Sequence, residues 1–182
     1  MNLKIPFIML TAALLSFPAL SLASTRIHIN QGLNSIDLNG DGVPDAVFFA
    51  IYDNNTSHPS ETLSIFIRQK NTWFIVPVPD DDGFTWTDLK LSASALRVGG
   101  IELHRYKGQV YLVRAVKYAG SDGSGDFTDK LRVKFSRFRL EESNSDPGTS
   151  VFFWAPAGVY LTARAVDDVD EAFKTINMEE FR

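Results

Sequence analysis

Glu61-Thr62-Leu63-Ser64-Ile65-Phe66-Ile67-Arg68 has a two-residue period that places Leu63, Ile65 and Ile67 on one face. That is the pattern of a strand with a buried side, and similar runs flank it in both directions. Upstream stand Arg26–Asn30, a short alternating run, and the apolar stretch Ala46–Asp53. Downstream, Gln69-Lys70-Asn71 reads as a hairpin turn into Thr72–Val78, with Pro77 and Pro79 ending that strand or marking an edge. Leu96–Tyr106 and Gln109–Tyr118 follow, joined by Lys107-Gly108, with a bulge expected at Gly99-Gly100. In Lys130–Leu140 the phase changes: Leu131, Val133 and Phe135 share one parity, Phe138 and Leu140 the other. An extra residue near Ser136-Arg137 would return them to one face. Val151–Arg164 reads as two strand pieces broken at Pro156-Ala157-Gly158. Only the tail has helical spacing, with Asp167 or Asp168 as N-cap and Val169, Ala172, Phe173 and Ile176 on one side. These elements predict an all-β fold, an antiparallel sandwich or barrel-like sheet pair, with one short C-terminal helix.

Ahead of the second strand lies Asp37-Leu38-Asn39-Gly40-Asp41-Gly42-Val43-Pro44-Asp45. Oxygen-bearing side chains occupy the first, third, fifth and ninth places and a glycine the sixth, the opening pattern of a D-x-N-x-D-G calcium loop. Asp37, Asn39, Asp41 and Asp45 offer side-chain oxygens and Val43 its carbonyl. An EF-hand closes with a glutamate at the twelfth place, within a helix; here that place is Phe48, inside a strand. A plain turn has the same composition, but five positions in register favour a structural calcium site.

Residues 1–23 have the form of an export signal: Lys4, an apolar stretch from Ile5 to Leu20, then Ser21-Leu22-Ala23 before the expected cleavage point. Pro18 and the short apolar length speak against a permanent membrane anchor. Residues 24–182 are long enough for one β-rich domain with its own core. The net charge of −4 is modestly acidic and argues against nucleic acid and anionic membranes. With no cysteine there are neither disulfides nor a lipoprotein anchor. The expected location is periplasmic, with full secretion as the other outcome of export.

The motifs of familiar hydrolases are missing. No G-x-S-x-G occurs, Lys174-Thr175-Ile176 lacks the glycine of K-T-G, and the three histidines, His28, His58 and His104, have no zinc-type spacing. The sequence therefore reads as a non-enzyme. His28 and His104 fall in strands and read as structural or solvent-facing. His58 lies in the polar connection Asp53–Ser60. Asp80, Asp81 and Asp82 form an acidic loop, as do Asp122, Asp126 and Asp129; solvated turns or cation sites explain both more simply than paired catalytic carboxylates. Phe84 and Trp86 stand in a loop and are the aromatic pair best placed for binding, while Trp73, Trp154, Phe152 and Phe153 read as core.

Asp53-Asn54-Asn55-Thr56-Ser57-His58-Pro59, Val76–Trp86 and Lys117-Tyr118-Ala119-Gly120, together with the Asp37 loop, resemble one family. It is the CarG-like group, periplasmic proteins of intrinsic resistance, or self-immunity, in carbapenem-producing bacteria. The resemblance runs from about Asp37 to Phe181. It implies protection against carbapenems without β-lactamase hydrolysis, most simply by binding or sequestering the antibiotic, and it implies a homodimer. It carries over no catalytic residue. A carbapenem cleft is then expected between the loops after Asp53 and around Asp80–Trp86, with Asn55, His58, Asp80, Asp82, Phe84 and Trp86 as its candidate contacts. The alternative is a calcium-stabilised extracytoplasmic module that binds a protein or glycan.

Overall fold

A computed structural model describes residues 24–53, 55, 58–81, 83–91, 96–143 and 147–182. The expected export signal and Asp82 lie outside the described residues. Glu61–Arg68 is the body of β4 (Ser60–Gln69), and Leu63, Ile65 and Ile67 are all buried. β4 lies centrally in an antiparallel sheet of order β2-β3-β4-β5, built from β2 (Gly32–Ile36), β3 (Asp45–Tyr52) and β5 (Thr72–Ile75), with β6 (Trp86–Thr87) also paired to β4. Lys70 and Asn71 both have positive φ, the geometry of the tight turn that joins β4 to β5.

The second sheet has the order β1-β8-β9-β10-β11 and is also antiparallel. Its strands are β1 (Thr25–Ile27), β8 (Arg97–Tyr106), β9 (Gln109–Lys117), β10 (Val133–Glu142) and β11 (Phe152–Leu161). A short strand, β7 (Leu89–Lys90), pairs with β8 beside β1. The fold is thus an open all-β sandwich. Between the sheets, Val47, Leu63, Ile65 and Ile67 meet Leu103, Leu112, Phe138 and Trp154.

The second sheet is covered on its other face too. There Tyr106, Val113, Ala115, Val133 and Phe135 pack under Val169 and Phe173 of α1 (Val169–Phe173) and under Met178 and Phe181. Asp168 caps α1 by accepting from the Asp170 amide at 2.8 Å. Arg137 pins the tail. Its guanidinium donates to the carbonyls of Ala157 and Met178 and lies 4.8 Å from the Phe181 ring centre. Gly158, at φ 126, leaves the room Phe181 needs, because a Cβ there would come within 3.0 Å of it.

This double burial corrects the expectation for β10. Val133 and Phe135 belong to the outer core, Phe138 and Leu140 to the inner one, so its alternation is regular and nothing needs restoring. The irregularity falls on the partner strand, where β11 spends one residue more than β10 between Val159 and Pro156. Near Gly99-Gly100 an offset does occur, against β7: Val98 is the extra residue between the Leu89 and Lys90 pairings. The outer face of the other sheet is open, with Leu33, Phe48, Trp73 and Ile75 all exposed.

Candidate functional site

The outer edge of β8 is covered by β1 at Leu103–Arg105 and by β7 at Arg97 and Gly99, which leaves a gap at Gly100–Glu102. A cleft of ≈ 660 Å³ opens here, bounded by β1, β4, β8 and the C-terminal helix. Its apolar wall includes Ile27, Leu63, Ile101 and Phe173, and its polar lining falls into two charged groups.

The first group centres on Arg97. Its guanidinium contacts Glu61 and Asp170 at 2.9 Å each and Asp88 at 3.2 Å, so one side chain ties together both sheets and the helix. The Asp88 contact is an ion pair whose angle falls outside hydrogen-bond geometry. Burial alone would lower the Arg97 pKa, but Glu61, Asp170 and Asp88 outweigh it and hold the pKa above its ordinary value. Gly100 makes the arrangement possible, since a Cβ there would meet Arg97 and Phe173 at 3.1–3.2 Å.

The second group is Glu102 and His104, two residues apart on β8 and therefore on the same face. Both are buried; His104 Nε2 stands 2.8 Å from Glu102 Oε2, and Glu102 Oε1 lies 3.1 Å from Arg26 Nη1 on β1. A carboxylate accepts, which puts the imidazole proton on Nε2. Nδ1 is buried with no hydrogen-bond partner.

None of these residues was singled out from the sequence for a site. The available signal was a polar pair, Glu102 and His104, sharing the parity of Val98, Gly100 and Tyr106 on an otherwise small or apolar face.

The loop residues are arranged differently. Asp37 accepts from the Gly40 and Gly42 amides, Asn39 from Asp41, and Asp41 from Val43, all between 2.7 and 3.1 Å. Asp45 is 1% exposed and turns its carboxylate to the amides of Leu38 and Arg68, both at 2.9 Å. Among the described residues no group of three or more His, Asp or Glu stands close enough to share a metal ion. Asp45, expected as a loop ligand, instead clasps the loop to β4.

Asp45→Ala is expected to cost about 2–4 kcal/mol, because two amides lose their acceptor in the interior; chemical denaturation measures it. Burial raises the Asp45 pKa above 3.8, against the hydrogen bonds from Arg68 and Leu38 that lower it, with Asp41 and Asp37 adding to the rise. The folded state therefore binds this proton more tightly than the unfolded one. The contribution is complete below 3.8 and is lost as pH rises through the raised folded value. Asp45→Asn should remove that part of the pH–stability slope.

Of the six residues expected to share a binding cleft, Asp82 lies outside the described residues, and the other five are not brought together as one cleft. Trp86 is 3% exposed and packs against Phe138 at 5.6 Å between ring centres, so it serves the core. Phe84 is left on the surface, at 53% exposure. Thr85, beside it, bonds Ser64, whereas Lys90 reaches Pro59, next to His58. Ser60 and Ser64 are about 14 Å apart along a strand, which separates Phe84 from Asn55 and His58. Asp80 adopts φ 68 in the turn Pro79–Asp81. Asn55, at φ 62, donates its amide to Asp53.

The family model for CarG-like carbapenem resistance proteins matches residues 29–175. The chain belongs to the CarG-like family. A crystal structure of CarG superposes with a TM-score of 0.79 at 34% identity, covering 87% of this chain and 99% of that one. No curated protein matches the sequence. Membership ties this CarG-like chain to carbapenem resistance.

Proposed function

We propose that this CarG-like protein is exported and protects the cell by holding intact carbapenem in the cleft beside Arg97 and His104. The observation that carries the reading is the cleft itself. Its ≈ 660 Å³ falls within the roughly 300–1,000 Å³ of small-molecule sites, and it joins an apolar wall to fixed charges. A carbapenem is a compact bicycle with one carboxylate, which suits such a lining. The sequence supplies no serine-acylation motif, and capture needs none.

The test has two arms. A susceptible Gram-negative strain expressing the full-length chain should survive higher carbapenem than one expressing residues 24–182 in the cytoplasm. Equilibrium dialysis of the purified protein should retain the drug, and the drug recovered on denaturation should be chemically unchanged. Ring-opened product would replace capture with hydrolysis; no retention would remove the cleft from the account.

Two further properties belong to the proposal. The Asp37–Asp45 loop takes calcium as a staple, through Asp37, Asn39, Asp41 and the Val43 carbonyl, with water completing the shell. Calcium should then raise the melting temperature over a chelator control, and Asp41→Ala should abolish the rise; no response in the parent chain removes the metal. The protein also pairs with a second copy through the open sheet face, which exposes the apolar side chains of Leu33, Phe48, Trp73 and Ile75. Phe48→Glu should give a monomer in sedimentation equilibrium, whereas an already monomeric parent chain would end that idea.

A further inference from the structure

Resting on the capture reading, we propose that Arg26 is the residue that binds a ligand carboxylate in the cleft, and that the buried Glu102–His104 pair exists to position it. Arg26, Arg97 and Lys174 bring three positive charges to the cleft lining. Arg97 is already saturated by three carboxylates. Lys174 lines the cleft with no ion-pair partner among the described residues, but it follows the last turn of a five-residue helix and nothing holds its head in place. Of the three, Arg26 combines an accessible head with an anchor: its side chain is 65% exposed, while those of Glu102 and His104 behind it are 4% and 3% exposed.

Stability does not explain this array. Taking a carboxylate and an imidazole out of water is expensive, and pairing the carboxylate with an exposed arginine returns little. Glu102 and His104 occupy the face of β8 that also buries Tyr106, with Val113 of β9 directly opposite Glu102, where apolar side chains would pack at no such cost. What the pair does achieve is geometric. Both oxygens of Glu102 are engaged, one by His104 and one by Arg26, so the carboxylate is held in one orientation and gives the exposed guanidinium an anchor at Nη1. Pairing in register, Arg26 opposite His104, fixes the backbone beneath them.

Among the described residues Arg26 is engaged at Nη1, and the rest of the planar donor fork can take a second carboxylate in the bidentate manner. A guanidinium held in advance gives up less side-chain freedom when a ligand arrives. Lys174 then adds a second, mobile positive charge.

The experiment compares meropenem with its methyl ester by calorimetric titration of the purified protein, since the two differ only in the ligand carboxylate. The parent chain should bind the acid at least tenfold more tightly than the ester. Arg26→Gln should bring that ratio to within twofold, and Arg26→Lys should restore only part of it, because the charge returns without the fork. Glu102→Gln and His104→Phe should lower the ratio although Arg26 is intact. Melting temperatures are followed alongside, and a purely structural defect would weaken acid and ester together. A parent chain that binds neither compound overturns the capture reading. A parent chain that prefers the acid, with the preference undiminished in Arg26→Gln, overturns the role of Arg26 and leaves capture standing. An undiminished ratio in both Glu102→Gln and His104→Phe overturns the positioning role.

Discussion

Lys117→Met is expected to cost about 3–5 kcal/mol, because three carbonyls lose their shared donor at about 1–3 kcal/mol each. Lys117 is only 1% exposed, and its ammonium donates to three carbonyls: Phe127 at 2.7 Å, Asp129 at 2.6 Å and Asp167 at 2.9 Å. All three of its hydrogens are thereby used. The contacts join the end of β9 to the glycine-rich connection that follows it and to the segment entering α1. Methionine keeps most of the stem volume but leaves three carbonyls without a donor. The melting temperature should fall by about 10 °C, taking roughly 2–4 °C per kcal/mol for a chain of this size. Lys117→Arg should not rescue it, since a flat fork cannot replace a tripod of donors. Scanning calorimetry decides the point. A loss below about 1 kcal/mol would mean that water reaches the three carbonyls in the variant.

Arg97→Met is the second large effect, at about 2–4 kcal/mol, and most of it comes from one of its three partners. Glu61 and Asp170 are 34% and 54% exposed and water can solvate them once the arginine is gone, so their pairs contribute little. Asp88 is different: its side chain is 1% exposed, and without Arg97 only Lys90, at 3.5 Å, remains to balance it. Asp88→Asn in the same chain should therefore recover much of the loss, because an amide does not demand a cation. The coupling between the two substitutions, read from a double-mutant cycle in denaturant, should exceed about 1 kcal/mol. Strict additivity would show that Asp88 does not depend on Arg97.

Most of the long strands were legible because they carry their own alternation and their own turn; β11 was not, since it runs unbroken through Pro156-Ala157-Gly158, where turn-forming residues suggest a break. Glu61–Arg68 and the two hairpins at Lys70-Asn71 and Lys107-Gly108 could be read without any partner. β2 could not: Gly32-Leu33-Asn34-Ser35-Ile36 has little apolar content, and its place is secured by Asn34, whose side chain bridges to Asn30 and to the Val47 carbonyl across the sheet. β10 was misread for a different reason. A change of parity means a bulge only if one face is buried, and the existence of a second core depends on where α1 and residues 178–181 dock.

The site was less legible still. Arg26, Glu61, Asp88, Arg97, Glu102, His104 and Asp170 are scattered along the chain in no motif, and it takes the pairing of β1 with β8, the stacking of β4 against the second sheet and the docking of α1 to bring them together. The loops that drew notice, around Asn55 and Phe84, were conspicuous for turn chemistry, which describes how a chain bends and says little about what lines a cavity.

The way the tail closes the second sheet also bears on the export proposed above. Met178 and Phe181 roof the outer core, and Arg182 and Val159 exchange backbone hydrogen bonds at 2.9 and 3.3 Å. β1, some 80 residues before its partner β8 in the chain, is likewise joined only over a long separation. While residues 178–182 are still being synthesised, one whole core stands open, and the sheet beneath it has little reason to settle. In the exported reading proposed above, that delay is useful: a polypeptide that cannot finish folding early stays threadable for a translocation channel, and completes its structure on the far side.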